Sequence, residues 1–462
     1  MPFLENINDA IWGYLLIWAL IACGIWFTIK THAVQFRMLR EMVRLLFDST
    51  GTEKGEKHIS SFQAFAVSIA TRVGTGNLAG VATAIVIGGP GAIFWMWVMA
   101  LFGAATAFIE STLGQLFKQP DEDSFVGGPA YYIRKGLKSK WMSILFALLI
   151  CITFGLSNNS IQSNTICSAM TEAFGWNTSV VGIVISAITL IIVFGGIHRV
   201  ANVSSVIVPI RAIGYLILAL VVIVMNIHLI PDVFSLIVSD AFGLSQVAGG
   251  GIGATIIIGV RRGLFSNEAG EGSAPNVAAT ADVTHPVKQG LIQALGVFTD
   301  TLIVCSCTAF IILISGLYNS GADGIALTQF ALEAEIGPSG KVFIAVAIFL
   351  FAFSSIIGNY YYGEANIRFL TSSKWVLNTF RLFSGGVMVM VGALSSLNLV
   401  WSMGDVCMAL LTACNLIAII ILGKHAFRLL DDYRQQRKQG IKNPVFHASK
   451  LPDIQSQLDA WK

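Results

Sequence analysis

Long apolar runs separated by short polar loops dominate the chain. About 20 apolar residues span a bilayer as a helix, and eleven stretches approach that pattern, near 12–29, 60–88, 91–117, 142–170, 178–197, 204–227, 247–273, 286–316, 341–365, 376–394 and 400–423. The pattern predicts an all-α polytopic membrane protein of eleven transmembrane helices. The first stretch reads as a permanent span with its N-terminus outside, because the residues before it, MPFLENIND, carry Glu5 and Asp9 and the basic residues follow it. One span interrupts its own apolarity: RVGTGNLAGVATA, 72–84, places an arginine, three glycines, an asparagine and two threonines where leucines belong.

Charge then orients the spans. Basic residues should collect in alternate, cytoplasmic loops. Lys30, Arg37, Arg40, Arg44, Lys54 and Lys57 follow span one, Lys118, Arg134, Lys135, Lys138 and Lys140 follow span three, and Arg199 follows span five. The intervening loops hold Glu172, Asp232, Asp240, Asp323, Glu333 and Glu335 instead. An odd number of spans leaves Lys424, Arg428, Arg434, Arg437 and Lys438 in a cytoplasmic tail, expected to be a short amphipathic helix with a loose, solvated end. Of the 462 residues 55% are hydrophobic and only 12% charged, where soluble domains carry about a quarter, and mean hydropathy is +0.73. The net charge of +3 gives no reason to expect a nucleic-acid partner, and the seven cysteines, with no CxxC pair, read as small core residues.

The interrupted span has a counterpart. RVGTGNLAGVATA lies without a gap over RGLFSNEAGEGSA, 262–274, pairing Arg72 with Arg262, Asn77 with Asn267 and Gly80 with Gly270 at an offset of 190. The same offset brings Phe108, Glu110 and Ser111 of span three onto Phe298, Asp300 and Thr301 of span eight. Span two runs outward and span seven inward, so the halves are inverted. The expected organisation is an extra span and loop over 1–59, repeats over 60–227 and 247–423, and a tail over 424–462. Transporters so built bind substrate and ion near the midplane, at helices broken to expose backbone groups. Glycine permits such a break, although Gly76 and Gly80 also fit a GxxxG packing face.

The strings RVGTGNLAGVATAI, GGPGAIFWMW, GGPAYYI, RRGLFSNEAGEGSAPN and FSSIIGNYYYGE resemble the alanine or glycine:cation symporter family, also called sodium:alanine symporters. The resemblance covers the chain from span one to span eleven. It implies the inverted-repeat fold of the bacterial leucine transporter, uptake of small neutral amino acids, and sodium as coupling ion with no other cofactor. It also implies that the VGxGN segment of Val73, Gly74, Gly76 and Asn77 is unwound, with the amides of Thr75 and Gly76 holding the substrate carboxylate. The carbonyls of Ala70 and Val73 and the hydroxyls of Ser354 and Ser355 would then cage one sodium. Paired serines alone are weak grounds, since they also bond back to their own helix.

Other residues stand on their own chemistry. Gln162 offers acceptor and donor within an apolar span, as substrate ligand or as interhelical bond, and Phe154, two turns earlier, would wall the pocket or fill the core. Arg72, Glu110, Arg262, Glu268, Glu271 and Asp300 are expensive at membrane depth and should be paired or near water, as gates or as structural ion pairs. Asn359 stands where many family members have tryptophan, which enlarges the expected pocket and makes glutamine a competitor of alanine and glycine. No potassium-type carbonyl string, HExxH, P-loop or GxSxG occurs, so channel and enzyme readings lack support. A substrate-sensing receptor remains open. The expected setting is a prokaryotic plasma (inner) membrane, with the bilayer and no obligatory protein partner.

Overall fold

The computed structural model describes residues 8, 10–48, 59–121, 124–243 and 251–461. Glu5, Asp9, Lys54, Lys57 and the expected start of span seven at 247 lie outside them, as does the side chain of Arg199. The chain is almost wholly helical, with a single two-residue hairpin pairing Gln119–Pro120 with Phe125–Val126 among the described residues.

Among the described residues seven helices are long and apolar enough to cross a membrane. They are α4 (Ala92–Leu116), α5 (Lys140–Phe174), α7 (Gly196–Met225, apolar from Val206), α9 (Pro286–Ser315), α10 (Pro338–Leu370), α11 (Lys374–Leu394) and α12 (Leu397–Lys438). Shorter helices lie in the remaining apolar stretches: α1 (Ile17–Lys30), α2 (Ser61–Arg72) continuing past a break as α3 (Val81–Gly88), α6 (Thr178–Val193) and α8 (Gly251–Asn267). Local chemistry sets several ends. Ser60 and Gln63 form a reciprocal capping box at the start of α2, with Gln63 N–H to Ser60 Oγ at 3.1 Å and Ser60 N–H to Gln63 Oε1 at 2.9 Å. Gly175, at φ +67°, ends α5 in the left-handed region that glycine favours.

Among the described residues five helices contain a π-helical stretch, at Trp12–Leu16, Gly76–Gly80, Thr153–Asn158, Phe298–Cys305 and Phe383–Val387. The outer face of α7 is an apolar stripe of exposed Ile210, Ile213, Ile217 and Val224, as lipid contact requires. Its inner face buries Arg211 at 4% exposure.

The end of the chain is not loose. Helix α12 continues to Lys438, and the following segment buries Phe446, Ala448, Leu451, Ile454, Leu458 and Trp461 against the ends of the other helices. Phe446 N–H bonds Thr284 O at 2.9 Å, and Trp461 Nε1 bonds Gln115 O at 3.1 Å. The solvated-tail expectation fails because six apolar side chains spaced through a polar segment suffice to dock it.

Candidate functional site

Helix α2 stops at Arg72. Val73 turns out of it at φ −80° and ψ 86°, and the helix resumes at Thr75. A helix end leaves carbonyls without intrahelical partners, and here other elements supply them. Ala70 O accepts from Ser355 Oγ of α10 at 2.8 Å, and Ile69 O, which still accepts from Val73 N–H at 2.9 Å, also takes Arg211 Nη2 of α7 at 3.1 Å. On the far side of the break Gly74 N–H bonds Asn77 Oδ1 at 2.9 Å. Thr75 N–H and Oγ1 both donate to Gln162 Oε1 of α5, at 3.0 and 2.8 Å. Gln162 therefore holds the amide expected to receive a carboxylate. Gly74 faces both partner helices, since a Cβ there would overlap Ser355 Oγ and stand 3.0 Å from Gln162 Oε1. Gly76 faces elsewhere: its Cβ would meet Phe265 Cδ1 and Ser266 Cα of α8, each at 3.1 Å. Gly76 is thus packed closely against α8.

Ser355, Asn359 and Tyr362 lie along one face of α10, as spacings of four and three dictate. Tyr362 hydroxyl meets Thr71 Oγ1 at 3.0 Å, and its ring packs edge-on against Phe154 at 5.2 Å between centroids. Asn359 is buried at 1% exposure, and its Nδ2 has no hydrogen-bond partner among the described residues. A vacant buried donor costs free energy unless something fills it. Ser354 points to the other side, bonding Phe351 O at 2.8 Å and receiving Arg211 Nη1. Gly74, Thr75, Gln162 and Ser355 are thus brought into direct proximity, with Ala70 joined through Ser355. Ser354 is joined instead to Arg211, a residue that the sequence motifs did not single out. Its signal was available, as one arginine inside an apolar span.

The second break opens at Glu268, five residues later than an offset of 190 from Val73 places it. Glu268 (φ +57°), Gly270 (+99°) and Gly272 (+80°) turn the chain through left-handed backbone before a short helix at Ala274–Ala278. The amides so freed meet a carboxylate from α4: Gly270 N–H and Gly272 N–H bond Glu110 Oε1 and Oε2 at 3.2 and 3.1 Å, and Asn415 Nδ2 of α12 joins at 2.8 Å. Asp300 of α9 meets side chains instead, accepting from Asn77 Nδ2 beside the first break at 2.6 Å and from Ser266 Oγ of α8 at 2.7 Å. Each break thus has a buried carboxylate beside it.

The expected pairing of buried charges takes a different form. Glu110 and Asp300 bond neutral donors, as does Glu268, which accepts from Ser273 Oγ at 2.5 Å. Arg72 Nη1 donates to Gln293 O at 3.0 Å, while its Nε and Nη2 lack partners. Glu271 is buried with Oε1 unpartnered. Of these residues Arg262 alone forms an ion pair among the described residues, with Asp405 of α12 at 2.6 Å. Arg261 approaches the same carboxylate at 3.6 Å. Trp401 lies on Arg262 at 4.3 Å and against Phe265 at 4.6 Å, and it also borders Gly80. Asp405, Asn415 and Trp401 sit more than a hundred residues from their partners, and no local motif announces them.

The docked tail packs beside the end of α4. Buried Lys118 donates to Ala281 O at 3.1 Å and lies under the rings of Phe125 and Trp461, at 3.9 and 4.8 Å. Burial pushes its ammonium down to about 7, with the charge of Asp282 pulling the other way.

Comparison with known proteins supplies the wider frame. The model of the sodium:alanine symporter family matches residues 1–448. The chain is similar to the amino-acid carrier protein AlsT of Bacillus subtilis (strain 168), at 51% identity over 98% of this chain and 96% of that protein. It is 49% identical to the probable sodium/glutamine symporter GlnT of the same bacterium, over 98% and 94%. Identity to the sodium/alanine symporter AgcS of Methanococcus maripaludis is 35%, over 96% and 99%. Among solved structures, that of MhsT in complex with L-phenylalanine matches with a TM-score of 0.58 at 13% identity, over 87% of this chain and 93% of that one. That likeness concerns the fold.

Proposed function

This chain belongs to the sodium:alanine symporter family, and we propose from that premise that it is a sodium-coupled symporter importing small neutral amino acids such as alanine or glycine by alternating access. The eleven spans are read as one extra helix followed by a five-plus-five inverted repeat, with N-terminus outside and C-terminus cytoplasmic in a prokaryotic inner membrane. Two helices interrupted at Val73 and at Glu268, each with a buried carboxylate beside the break, support that reading.

The observation that carries the site assignment is the α2 break itself. Substrate carboxylate takes the place at Thr75 N–H that Gln162 Oε1 now occupies, and the freed Gln162 side chain turns to the substrate ammonium through its oxygen. Sodium sits at the carbonyl end of α2, between Ala70, Val73, Ser354 and Ser355. That end carries the negative pole of the helix dipole and offers the hard oxygens sodium needs. Phe154 and Tyr362 wall the pocket.

Asn359 sets the size limit. Its unpartnered Nδ2 is a donor awaiting an acceptor, and a glutamine side chain brings one. The substrate range therefore extends to glutamine. A site that hydrogen-bonds its substrate discriminates strongly against ligands lacking the partner. Sodium-driven uptake of labelled alanine into proteoliposomes, with counterflow to separate carriage from sensing, tests the assignment. Unlabelled glutamine is expected to compete in the wild type and to lose at least tenfold in Asn359→Trp, with alanine spared. Failure of glutamine to compete in the wild type removes Asn359 from the site; absence of sodium-dependent counterflow with any neutral amino acid removes the transport assignment.

A further inference from the structure

Arg211 is buried within α7, yet each of its hydrogen-bond partners is a neutral oxygen. Nη1 donates to Leu350 O at 3.2 Å, to Phe351 O at 2.8 Å and to Ser354 Oγ, and Nη2 donates to Ile69 O at 3.1 Å. The guanidinium also lies over the Phe351 ring at 4.9 Å, and its Nε has no partner. An arginine in an apolar span normally faces a carboxylate or water. This one is held by a cluster of carbonyls and a hydroxyl drawn from two helices, at the end where α2 presents its last turn. Three carbonyls and a hydroxyl around one positive charge are the donor set of a hard monovalent cation.

We propose that Arg211 is a tethered cation which competes with sodium for the carbonyl end of α2. The inference rests on the sodium cage assigned above, with which it shares Ser354 and the last turn of α2. In the conformation described here the guanidinium holds α2 to α10 by bonding Ile69 on one and Leu350, Phe351 and Ser354 on the other. A sodium ion entering between Ala70, Val73, Ser354 and Ser355 takes the Ser354 oxygen and brings a second positive charge beside the first, in surroundings that screen poorly. Arg211 then withdraws along α7. Its long flexible stem allows this without unwinding the helix. The two cations thus hold the joint between α2 and α10 by turns. Arg211 is a positioning and selectivity residue on this account, since it touches the Ser354 oxygen that takes part in the cage.

Competition has a signature that a purely structural role lacks. Where a tethered competitor occupies the site, apparent affinity falls by the fraction of molecules left competent. Removing it should therefore improve sodium activation. In Arg211→Met the sodium concentration giving half-maximal alanine binding to purified protein is expected to fall about tenfold, which corresponds to a guanidinium holding the site in roughly nine molecules of ten. Arg211→Lys, which keeps a tethered positive charge, should stay within about threefold of wild type. Added guanidinium chloride at constant ionic strength should raise the half-saturating sodium concentration of Arg211→Met towards the wild-type value. Arg211→Gln, which keeps donors without charge, gives the same reading should the Met variant not accumulate. An unchanged or higher sodium requirement in the folded Met or Gln variant overturns the proposal. Ser355→Ala separates this failure from that of the cage: a normal sodium response there removes the cage, whereas an altered response there with an unaltered one in Arg211→Met removes only the tethered competitor.

Discussion

Substituting alanine for Gly74 is the sharpest probe of how the α2 break works. A Cβ at this position would overlap Ser355 Oγ and stand 3.0 Å from Gln162 Oε1 and 3.2 Å from Ser355 Cβ, distances that leave no room without movement. The polar neighbours must therefore yield. If Ser355 rotates, its 2.8 Å bond to Ala70 O is lost; if Gln162 shifts, its bonds to Thr75 are lost. A net hydrogen bond contributes about 1 kcal/mol, and overpacking costs about 1–3 kcal/mol. An expected loss of 1–3 kcal/mol corresponds to a roughly 5–150-fold weaker binding. Equilibrium binding of labelled alanine to purified protein at saturating sodium measures it directly. The partner variant Ser355→Gly removes both atoms of the clash with Ser355. Gly74→Ala/Ser355→Gly should then bind alanine more tightly than the sum of the single effects predicts, by about 0.5–3 kcal/mol. Simple additivity, or wild-type binding in Gly74→Ala alone, would refute the assignment of Gly74 to the contact between the two helices.

Asp405→Asn leaves Arg262 buried without its counter-charge, and breaking a buried pair costs about 3–5 kcal/mol; the thermal midpoint in detergent should drop clearly, and an unchanged midpoint would mean the pair is not formed. Glu110→Gln turns one of two accepting oxygens into a donor facing Gly270, Gly272 and Asn415; a buried unmatched donor costs about 1–3 kcal/mol, read as a roughly 5–150-fold weaker alanine binding. Lys118, ordinarily near 10.5 and held at about 7 in the fold, binds fewer protons folded than unfolded between those values. Stability should therefore climb with pH across that window. Melting of the wild type from pH 7 to pH 10 should show the climb, and Lys118→Met should flatten it.

The seven long apolar helices were legible because apolar length is a coarse property that tertiary contacts do not alter. The first break was legible too, since glycines and an arginine crowd a stretch that otherwise reads as helix. The position of the second break was not legible. Aligning Asn77 with Asn267 treats the two breaks as equivalent residue by residue, yet Ser266 and Asn267 stay helical and the turning falls to Glu268, Gly270 and Gly272. Conformation at those positions depends on a carboxylate from α4 bonding the freed amides, and no local pattern encodes it. Partners were the least legible layer. Asp405 lies 143 residues from Arg262, and Arg211 has no motif around it at all. The docked tail was missed because its apolar residues are spaced through a segment whose charges dominate any windowed average.

The π-helical stretches bear on how chains of this kind can change length. A π turn carries one residue more than the α turn it replaces, so each stretch acts as a single-residue insertion absorbed inside a continuous helix. Each residue of α-helix turns the chain by about 100°, and without the π turn an added residue would rotate every side chain beyond it. Losing one residue from within Thr153–Asn158 is thus absorbed as ordinary α-helix there, leaving both Lys140–Ile152 and the face bearing Gln162 in their present orientations. Sequence alignments that forbid gaps inside membrane spans will misplace whole faces by one position wherever two chains differ in such a turn.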